Sequence, residues 1–236
     1  MPPVSSTTSS SRLRGLAWGL LVWVLIFAGG ISAAEWLLRS RYLRIARSDR
    51  LTPGLTVADP TLGWRLQPSW QGRHLHYDFD VNYSVNRNGF RGPDSRDHQP
   101  PARQIAVVGD SFAFGIGVND DEVFTQLMDR RQPGVRRVYN YAVPGFSTDQ
   151  ELLLVEQRVF DTRPDVLVLD AFSSDAIPVH LLTAEAVKMY LDKLKPDGVV
   201  LLHTSNRYLD LESVLSAIQK ELPQGTSGIV VSDNHA

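Results

Sequence analysis

A serine directly follows a short apolar run near the middle of the chain. Residues 104–108 read Gln-Ile-Ala-Val-Val, a run typical of a buried β-strand, and Gly109-Asp110-Ser111-Phe112 comes next. A serine at the carboxyl end of a strand can present its hydroxyl at a sheet edge, where backbone N–H groups can stabilise an oxyanion. The tetrapeptide therefore predicts a nucleophile at Ser111. The same residues also fit a serine or aspartate that only caps the following helix, which is common.

The composition excludes several other chemistries. Lys plus Arg number 24 and Asp plus Glu number 26, so the net charge of -2 lacks the basic excess of a nucleic-acid binder. The chain has no cysteine, which rules out a disulfide framework, a thiolate metal site and a cysteine nucleophile. Its glycines form neither a P-loop nor a dinucleotide fingerprint. We therefore predict no cofactor and no nucleic-acid partner.

One segment with two histidines could in principle bind a metal ion. His74 and His76 flank Leu75, with Asp78 and Asp80 close behind, and on a strand these side chains would share one face. Surface polar residues show the same pattern routinely. We predict no metal site.

From residue 103 onwards, apolar runs alternate with helical stretches. The predicted strands cover residues 104–108, 135–140, 165–170, 199–203 and 228–231. The predicted helices cover residues 122–131, 148–160, 183–194 and 210–222. Continuous apolar strands separated by helices indicate a mainly parallel sheet covered on both faces. We therefore predict an α/β fold, with a flavodoxin-like three-layer α/β/α domain of about five strands over residues 103–236. Its functional residues should lie at the carboxyl ends of the strands.

The N-terminal region contains an uncharged apolar stretch. Residues 15–34 carry no charge, and at about 1.5 Å rise per residue they span roughly 30 Å, the thickness of a bilayer's hydrocarbon core. A core helix would carry a polar stripe that this run lacks. A cleaved signal peptide is an alternative, because Ser32-Ala33-Ala34 resembles a cleavage site. We predict an uncleaved transmembrane anchor over residues 15–38, after a disordered tail over residues 1–14. A linker and a small β-rich lead-in follow over residues 39–102.

Several blocks of the chain together resemble the SGNH/GDSL hydrolase family, specifically its membrane-anchored bacterial members. The resemblance covers about residues 13–169. Its blocks are Asp59-Pro60-Thr61-Leu62-Gly63-Trp64, Val85-Asn86-Arg87-Asn88-Gly89-Phe90-Arg91-Gly92, Ile105-Ala106-Val107-Val108-Gly109-Asp110-Ser111-Phe112-Ala113-Phe114-Gly115 and Asn140-Tyr141-Ala142-Val143-Pro144-Gly145-Phe146-Ser147-Thr148-Asp149-Gln150. The resemblance implies a serine hydrolase that acts on acyl esters, as an esterase or in O-acyl transfer or deacylation. Its substrate would be a small-molecule or glycan ester.

The resemblance also implies roles for individual residues. Ser111 would be the nucleophile, and the N–H groups of Ser111 and Gly145 would form the oxyanion hole. The family's third block supplies an asparagine that is missing after Asp170, and losing one oxyanion donor could cost about 3–4 kcal/mol and impair the enzyme. The family's last block, Asp-x-x-His, corresponds to Asp233 and His235, although the spacing is one residue short. Asp233 and His235 are therefore the predicted acid–base pair.

Two arguments about membrane orientation disagree. Two arginines, Arg12 and Arg14, precede the apolar stretch and five follow it within residues 39–50. A charge count alone therefore places the C-terminal side in the cytoplasm. The resemblance instead implies a single-pass protein of the bacterial inner membrane whose domain lies on the periplasmic, extracytoplasmic side.

The C-terminal part of the chain resembles a different family, the spermidine synthase-like proteins, over about residues 165–235. The matching segments are residues 165–183, 194–200 and 203–211. This resemblance implies that Asp170 handles an attacking amine and that Asp175 helps to bind the amine substrate. Both aspartates could instead cap the local loop and helix. The cofactor half of that family has no counterpart, because its Gly-rich turn and the acid at the end of its second strand are missing and residues 103–164 are hydrolase-like. We therefore divide the α/β domain into a hydrolase-like part, residues 103–169, and a spermidine synthase-like part, residues 170–236.

Three hypotheses about function follow from the sequence. The first is a membrane-anchored serine hydrolase that uses Ser111. The second is an aminopropyltransferase or methyltransferase-fold protein that uses Asp170 and Asp175. The third is a catalytically inactive fusion fragment tethered to a membrane.

Overall fold

The computed structural model describes residues 8–92, 103–131, 133–134, 136–170, 180–203, 210–223 and 225–231. The chain divides into two units, residues 1–50 and residues 51–236. The first unit contains the N-terminal helix. The second unit contains the lead-in strands and the main sheet.

The N-terminal helix, α1, covers Thr8–Ser48 and is 41 residues long. Its segment Arg14–Tyr42 is long and apolar enough to cross a membrane. The helix extends beyond the predicted anchor at both ends, so residues 8–14 of the predicted tail and residues 39–48 of the predicted linker are helical. No proline occurs between Pro3 and Pro53 to end the helix earlier.

The predicted β-rich lead-in is confirmed. Its strands are β1 Arg50–Leu51, β2 Thr56–Asp59, β3 Gly63–Leu66, β4 Gln71–Leu75 and β5 Asp80–Ser84. Strands β2 and β3 pair antiparallel, as do β4 and β5. In β5 the side chains of Val81 and Tyr83 are buried and their neighbours are not, as expected for a strand with one face on the core.

The predicted α/β fold class is confirmed, with a parallel sheet of four described strands. The strands are β6 Arg103–Gly109, β7 Arg136–Asn140, β8 Val166–Asp170 and β9 Val199–Leu202, in the spatial order β7-β6-β8-β9. The helices are α2 Ser111–Phe114, α3 Phe124–Arg131, α4 Thr148–Gln157, α5 Ala184–Lys193 and α6 Leu211–Gln219. A 3₁₀ turn covers Val159–Thr162 after α4. The central strand β6 carries Ala106, Val107 and Val108, each 0% exposed, because helices cover both faces of such a sheet.

The predicted fifth strand over residues 228–231 is wrong. These residues have no regular secondary structure, and Ile229 and Val231 are 89% and 91% exposed. The apolar run resembled a buried strand, but a strand needs a paired neighbour. Within the ranges given above, β9 pairs with β8 alone.

One buried arginine joins the lead-in to the sheet domain. The side chain of Arg91 is 1% exposed. Its guanidinium donates to the carbonyl oxygens of Phe114 at 2.7 Å, Gly115 at 2.6 Å and Val118 at 2.6 Å. Its Nε also donates to Oδ1 of Asp120 at 3.1 Å. The buried charge is therefore compensated by hydrogen bonds on several sides, as a guanidinium with five donors allows.

Two aromatic rings complete the surroundings of Arg91. Its guanidinium carbon lies 4.6 Å from the ring centre of Tyr83 and 4.7 Å from that of Phe114, which is a cation–π geometry. Arg91 also forms an antiparallel bridge with Asn140 at the end of β7. The lead-in, the segment after β6 and the edge strand β7 therefore meet at this one residue, the first two through its side chain and β7 through its backbone.

Replacing Arg91 should destabilise the domain strongly. Arg91→Gln removes the charge and leaves Asp120 and several carbonyl groups without their donor, a loss of about 3–5 kcal/mol. Arg91→Lys should recover only part of it, because one ammonium group cannot reproduce the fork of donors. Thermal unfolding of the full chain in detergent should show a lower Tm for both variants. Arg103→Gln, at an exposed position, is the control, and an Arg91→Gln protein as stable as that control would contradict the role of Arg91.

Candidate active site

Ser111 lies where the sequence places it, directly after the central strand. It is the first residue of α2 and is partly exposed. The helix cap is the neighbouring Asp110, whose carboxylate accepts from the N–H of Phe112 at 2.8 Å. The Ser111 hydroxyl makes no hydrogen bond to any described residue. Asp110 therefore caps the helix, and the Ser111 hydroxyl is not needed as a cap and can take part in a reaction.

The loop after β7 brings Gly145 to the same edge. The N–H of Tyr141 donates to the carbonyl of Val107 at 2.8 Å, and that of Val143 donates to Gly109 at 3.1 Å. This loop therefore continues alongside the end of β6. Gly145 has a φ of 80° and is exposed, a backbone conformation that favours glycine. In the described ranges, the N–H groups of Ser111 and Gly145 have no protein acceptor, as an oxyanion hole requires.

A glycine is also required just before the serine. A Cβ at Gly109 would lie 2.7 Å from the carbonyl oxygen of Asp170 and 2.8 Å from Cβ of Ala113. Strands β6 and β8 and the short helix α2 approach each other too closely here for any side chain. The close approach brings Asp170, the register partner of Gly109, next to the segment that carries Ser111.

Asp170 holds a histidine at the carboxyl edge of the sheet. Nδ1 of His203 lies 2.7 Å from Oδ1 of Asp170, and the backbone N–H of His203 donates to the carbonyl of Leu169 at 3.1 Å. Asp170 is the last residue of β8, and His203 directly follows the last residue of β9. Because β8 and β9 are adjacent strands, the two side chains meet. A carboxylate on Nδ1 fixes the orientation of the ring, and acid–base chemistry then falls to Nε2.

A buried glutamate lies near both aspartates. Glu151, on α4, is 2% exposed, and its Oε2 has no hydrogen-bond partner among the described residues. Burial raises the pKa of Glu151 to about 8, with smaller contributions from the charges of Asp110 and Asp170. Its carboxyl group is therefore protonated at pH 7, and a protonated carboxyl can donate a hydrogen bond where a carboxylate cannot.

One polar residue of β7 fixes the helix that carries Ser111. Asn140 is 2% exposed, and its Nδ2 donates to the carbonyl of Ala113 at 2.8 Å. Its Oδ1 accepts from the N–H of Ala142 at 3.0 Å. One side chain therefore ties α2 to the loop that carries Gly145. No motif in the sequence predicted a role in the site for Asn140, Glu151, Arg91 or His203.

Asp175, Asp233 and His235 lie outside the described residues, as does the segment that replaces the family's third block. The predicted acid–base pair of Asp233 and His235 therefore stays a prediction. Nothing in the geometry supports aminopropyl transfer at Asp170, whose carboxylate is engaged with His203.

The two-histidine segment packs against neighbouring aromatic rings. His74 is buried, with its Nδ1 3.0 Å from the Tyr83 hydroxyl. Its ring packs edge-to-face on Phe79 at 4.9 Å between centroids. Within the described ranges no group of three or more potential ligands could hold a metal ion.

Comparison with known proteins gives only distant likenesses. No family model matches the chain, and no curated protein matches it. The crystal structure of TesA is similar with 18% identity over 50% of this chain and 72% of its own, at a TM-score of 0.39. The structure of a variant of the esterase AlinE4 is 18% identical over 52% of this chain and 71% of its own chain, with a TM-score of 0.36. The structure of a GDSL-like lipase from Parabacteroides merdae is 19% identical over 52% of this chain and 76% of its own chain, with a TM-score of 0.33. These values assign neither an activity nor a functional residue to this chain.

Glu151 should make the stability of the domain depend on pH. Its folded-state pKa of about 8 lies above the ordinary value of 4.5, so the folded state binds more protons between these values. Stability should therefore fall as the pH rises from about 5 to 8, by up to about 1.4 kcal/mol per pH unit. Glu151→Gln should flatten this dependence in thermal unfolding of the full chain. Glu156→Gln, at an exposed position on the same helix, should not, and an unchanged slope in Glu151→Gln would contradict the assignment.

Proposed function

We propose that the chain is a membrane-anchored serine hydrolase that acts on acyl esters. The observation that carries the proposal is the arrangement at the end of β6. There the Ser111 hydroxyl stands at the edge of the sheet, with the N–H groups of Ser111 and Gly145 unpaired within the described residues. This combination of a strand-end nucleophile and backbone donors suits attack on a carbonyl group.

The proposed reaction proceeds through an acyl-enzyme. Oγ of Ser111 attacks the ester carbonyl while a histidine accepts the serine proton, and the oxyanion forms beside the N–H groups of Ser111 and Gly145. Collapse of this intermediate breaks the ester C–O bond, and the histidine returns the proton to the leaving alcohol. Water then releases the acid by the same route, or a second alcohol accepts the acyl group.

Two histidines are candidates for the base. The sequence predicts His235 with Asp233, in analogy to the family's last block. The structure adds His203, whose ring is held by Asp170 at the same sheet edge. We propose His203 as the base, because its carboxylate partner is the register partner of Gly109, two residues before the nucleophile.

The residue after the nucleophile offers a surface for the acyl group. The side chain of Phe112 is 83% exposed beside Ser111, and Ile116, one turn further on, is 37% exposed. Large exposed apolar side chains next to a reactive group commonly mark a binding surface. We propose that this surface contacts the apolar part of the ester.

We propose that α1 anchors the domain in the bacterial inner membrane with the domain on the periplasmic side. The segment Arg14–Tyr42 has the length and apolar character for one crossing. Residues 15–34 of this helix carry no charge and expose large apolar side chains, a surface that would be costly in water and is favourable in lipid.

Ser111 should react with a fluorophosphonate probe. Labelling is expected in the membrane fraction on a band at 26.3 kDa, the mass of this chain with its proposed anchor retained. Ser111→Ala should abolish labelling, while Ser216→Ala, at an exposed position on α6, should keep it. Labelling that persists in Ser111→Ala would exclude the proposed nucleophile, and a shorter labelled product in the soluble fraction would show cleavage of a signal peptide instead.

The two candidate bases can be separated by substitution. His203→Ala should reduce kcat for a p-nitrophenyl ester by about 10²–10⁴-fold, the usual contribution of a general base. Asp170→Asn should reduce it by a similar factor and alter the pH profile of kcat/KM. His235→Ala should leave the rate unchanged. The opposite pattern, with loss in His235→Ala alone, would assign the base to the C-terminal pair.

A further inference from the structure

Two tryptophans mark the ends of the apolar part of α1. Trp18 is 68% exposed and Trp36 is 70% exposed. On a continuous α-helix these two residues lie about 27 Å apart along the axis, close to the roughly 30 Å of a bilayer's hydrocarbon core. Tryptophan rings favour the level of the lipid headgroups. With α1 spanning a membrane as proposed above, one membrane surface therefore falls near Trp36.

The helix does not end at this surface. α1 continues without interruption to Ser48, which adds about 18 Å beyond Trp36. Tyr42 lies within this extension and is 72% exposed, and tyrosine also suits the headgroup level. Residues 39–50, named here the basic segment, therefore begin at the depth of the headgroups and extend outward from them.

The basic segment carries more positive charge than the neighbouring acids can cancel. It contains five arginines and one acid, Asp49. The preceding turn adds a second acid, Glu35, whose carboxylate lies 2.7 Å from the guanidinium of Arg39. Subtracting both acids still leaves an excess of three positive charges, and arginine keeps its charge at any physiological pH. The five arginines are Arg39, Arg41, Arg44, Arg47 and Arg50.

The backbone of α1 places three of these arginines on one side of the helix. Residues 41, 44 and 47 follow one another in steps of three, so their Cα atoms lie within an arc of about 120° and within about 9 Å along the axis. Arg41 is exposed and forms no ion pair with any described residue. The same holds for Arg50 at the end of the segment. A bound anion is therefore needed to compensate this charge.

An anionic lipid headgroup is the partner that the basic segment fits. A guanidinium group binds phosphate oxygens through paired N–H donors. Each cationic residue near an anionic membrane surface strengthens the attraction about fivefold. A lipid phosphate also lies at the depth where α1 leaves the hydrocarbon core, so binding requires no movement of the helix. A zwitterionic headgroup carries its own ammonium group beside the phosphate and should bind more weakly.

We propose, on the basis of the anchoring proposed above, that the basic segment binds the phosphate groups of anionic phospholipids at the membrane surface. Arg41, Arg44 and Arg47 contact the headgroups from one side of α1, and Arg39 contributes less because it is paired within the helix. The site belongs to the N-terminal unit alone and does not involve Ser111.

Native mass spectrometry of the full chain in detergent tests this proposal. With phosphatidylglycerol and phosphatidylcholine of the same acyl chains added in equal amounts, the chain should retain phosphatidylglycerol preferentially. The triple variant Arg41→Gln/Arg44→Gln/Arg47→Gln should lower this preference about tenfold or more, because it removes the charge excess. The control Arg103→Gln/Arg130→Gln/Arg131→Gln removes the same number of charges from exposed positions in the second unit and should keep the preference.

Several results would overturn the proposal. Equal retention of the two lipids by the unsubstituted chain would do so without any variant, and so would an unchanged preference in the triple variant. The same loss in the control variant would assign binding to the total charge of the chain, and displacement of the lipid by a soluble polyglutamate peptide would indicate an acidic protein partner instead.

The proposals above fail in different ways. A failure of the anchoring proposal gives a shortened chain in the soluble fraction, and a failure of the hydrolase proposal gives a chain that the fluorophosphonate probe does not label at Ser111. A failure of the lipid proposal gives a full-length chain in the membrane fraction that does not distinguish the two headgroups. Ser111→Ala should retain the preference for phosphatidylglycerol.

Discussion

The domain depends on a charge that is buried in its middle. Arg91 comes from the lead-in, yet the carbonyl groups that it satisfies belong to the segment after β6, immediately beyond the proposed nucleophile. A buried guanidinium is tolerated only when nearly all its donors are used, so the lead-in and the sheet domain must fold together to satisfy it. The lead-in is therefore an integral part of the domain, because it fixes the position of the short helix that carries Ser111.

The carboxyl edge of the sheet gathers acidic side chains with different tasks. Asp110 caps α2, Asp170 orients His203, and Glu151 stays protonated beneath them. Three ionised carboxylates in such a small volume would repel one another, and burial resolves this by keeping the proton on the least exposed of the three. This edge therefore combines two features. The carboxylate of Asp170 can stabilise a protonated His203, and the protonated carboxyl group of Glu151 is an uncharged hydrogen-bond donor in the interior.

The sequence was most informative where local patterns decide the structure. The apolar strands, the helices between them and the position of Ser111 followed from periodicity and from the strand-end motif, and the structure has them within a few residues. The pairing of His203 with Asp170 could not be predicted, because it depends on which strands become neighbours. Glu151 did leave a signal, since it lies one turn before the buried Leu154 and Val155 on the same face of α4. The error at residues 228–231 arose because an apolar run alone does not provide a pairing strand.

The outer side of β9 has a consequence for the behaviour of the chain in solution. Val199 and Leu201 on this strand are about half exposed. The apolar residues 229–231, which follow α6 in the sequence, are also exposed to solvent. Among the residues that the structure describes, no strand pairs with the outer edge of β9. A strand edge of this kind with apolar side chains is a template on which another copy can add its own strand. In the absence of lipid and at high concentration, we expect the C-terminal region to limit solubility by seeding intermolecular β-pairing, independently of the hydrophobic N-terminal helix.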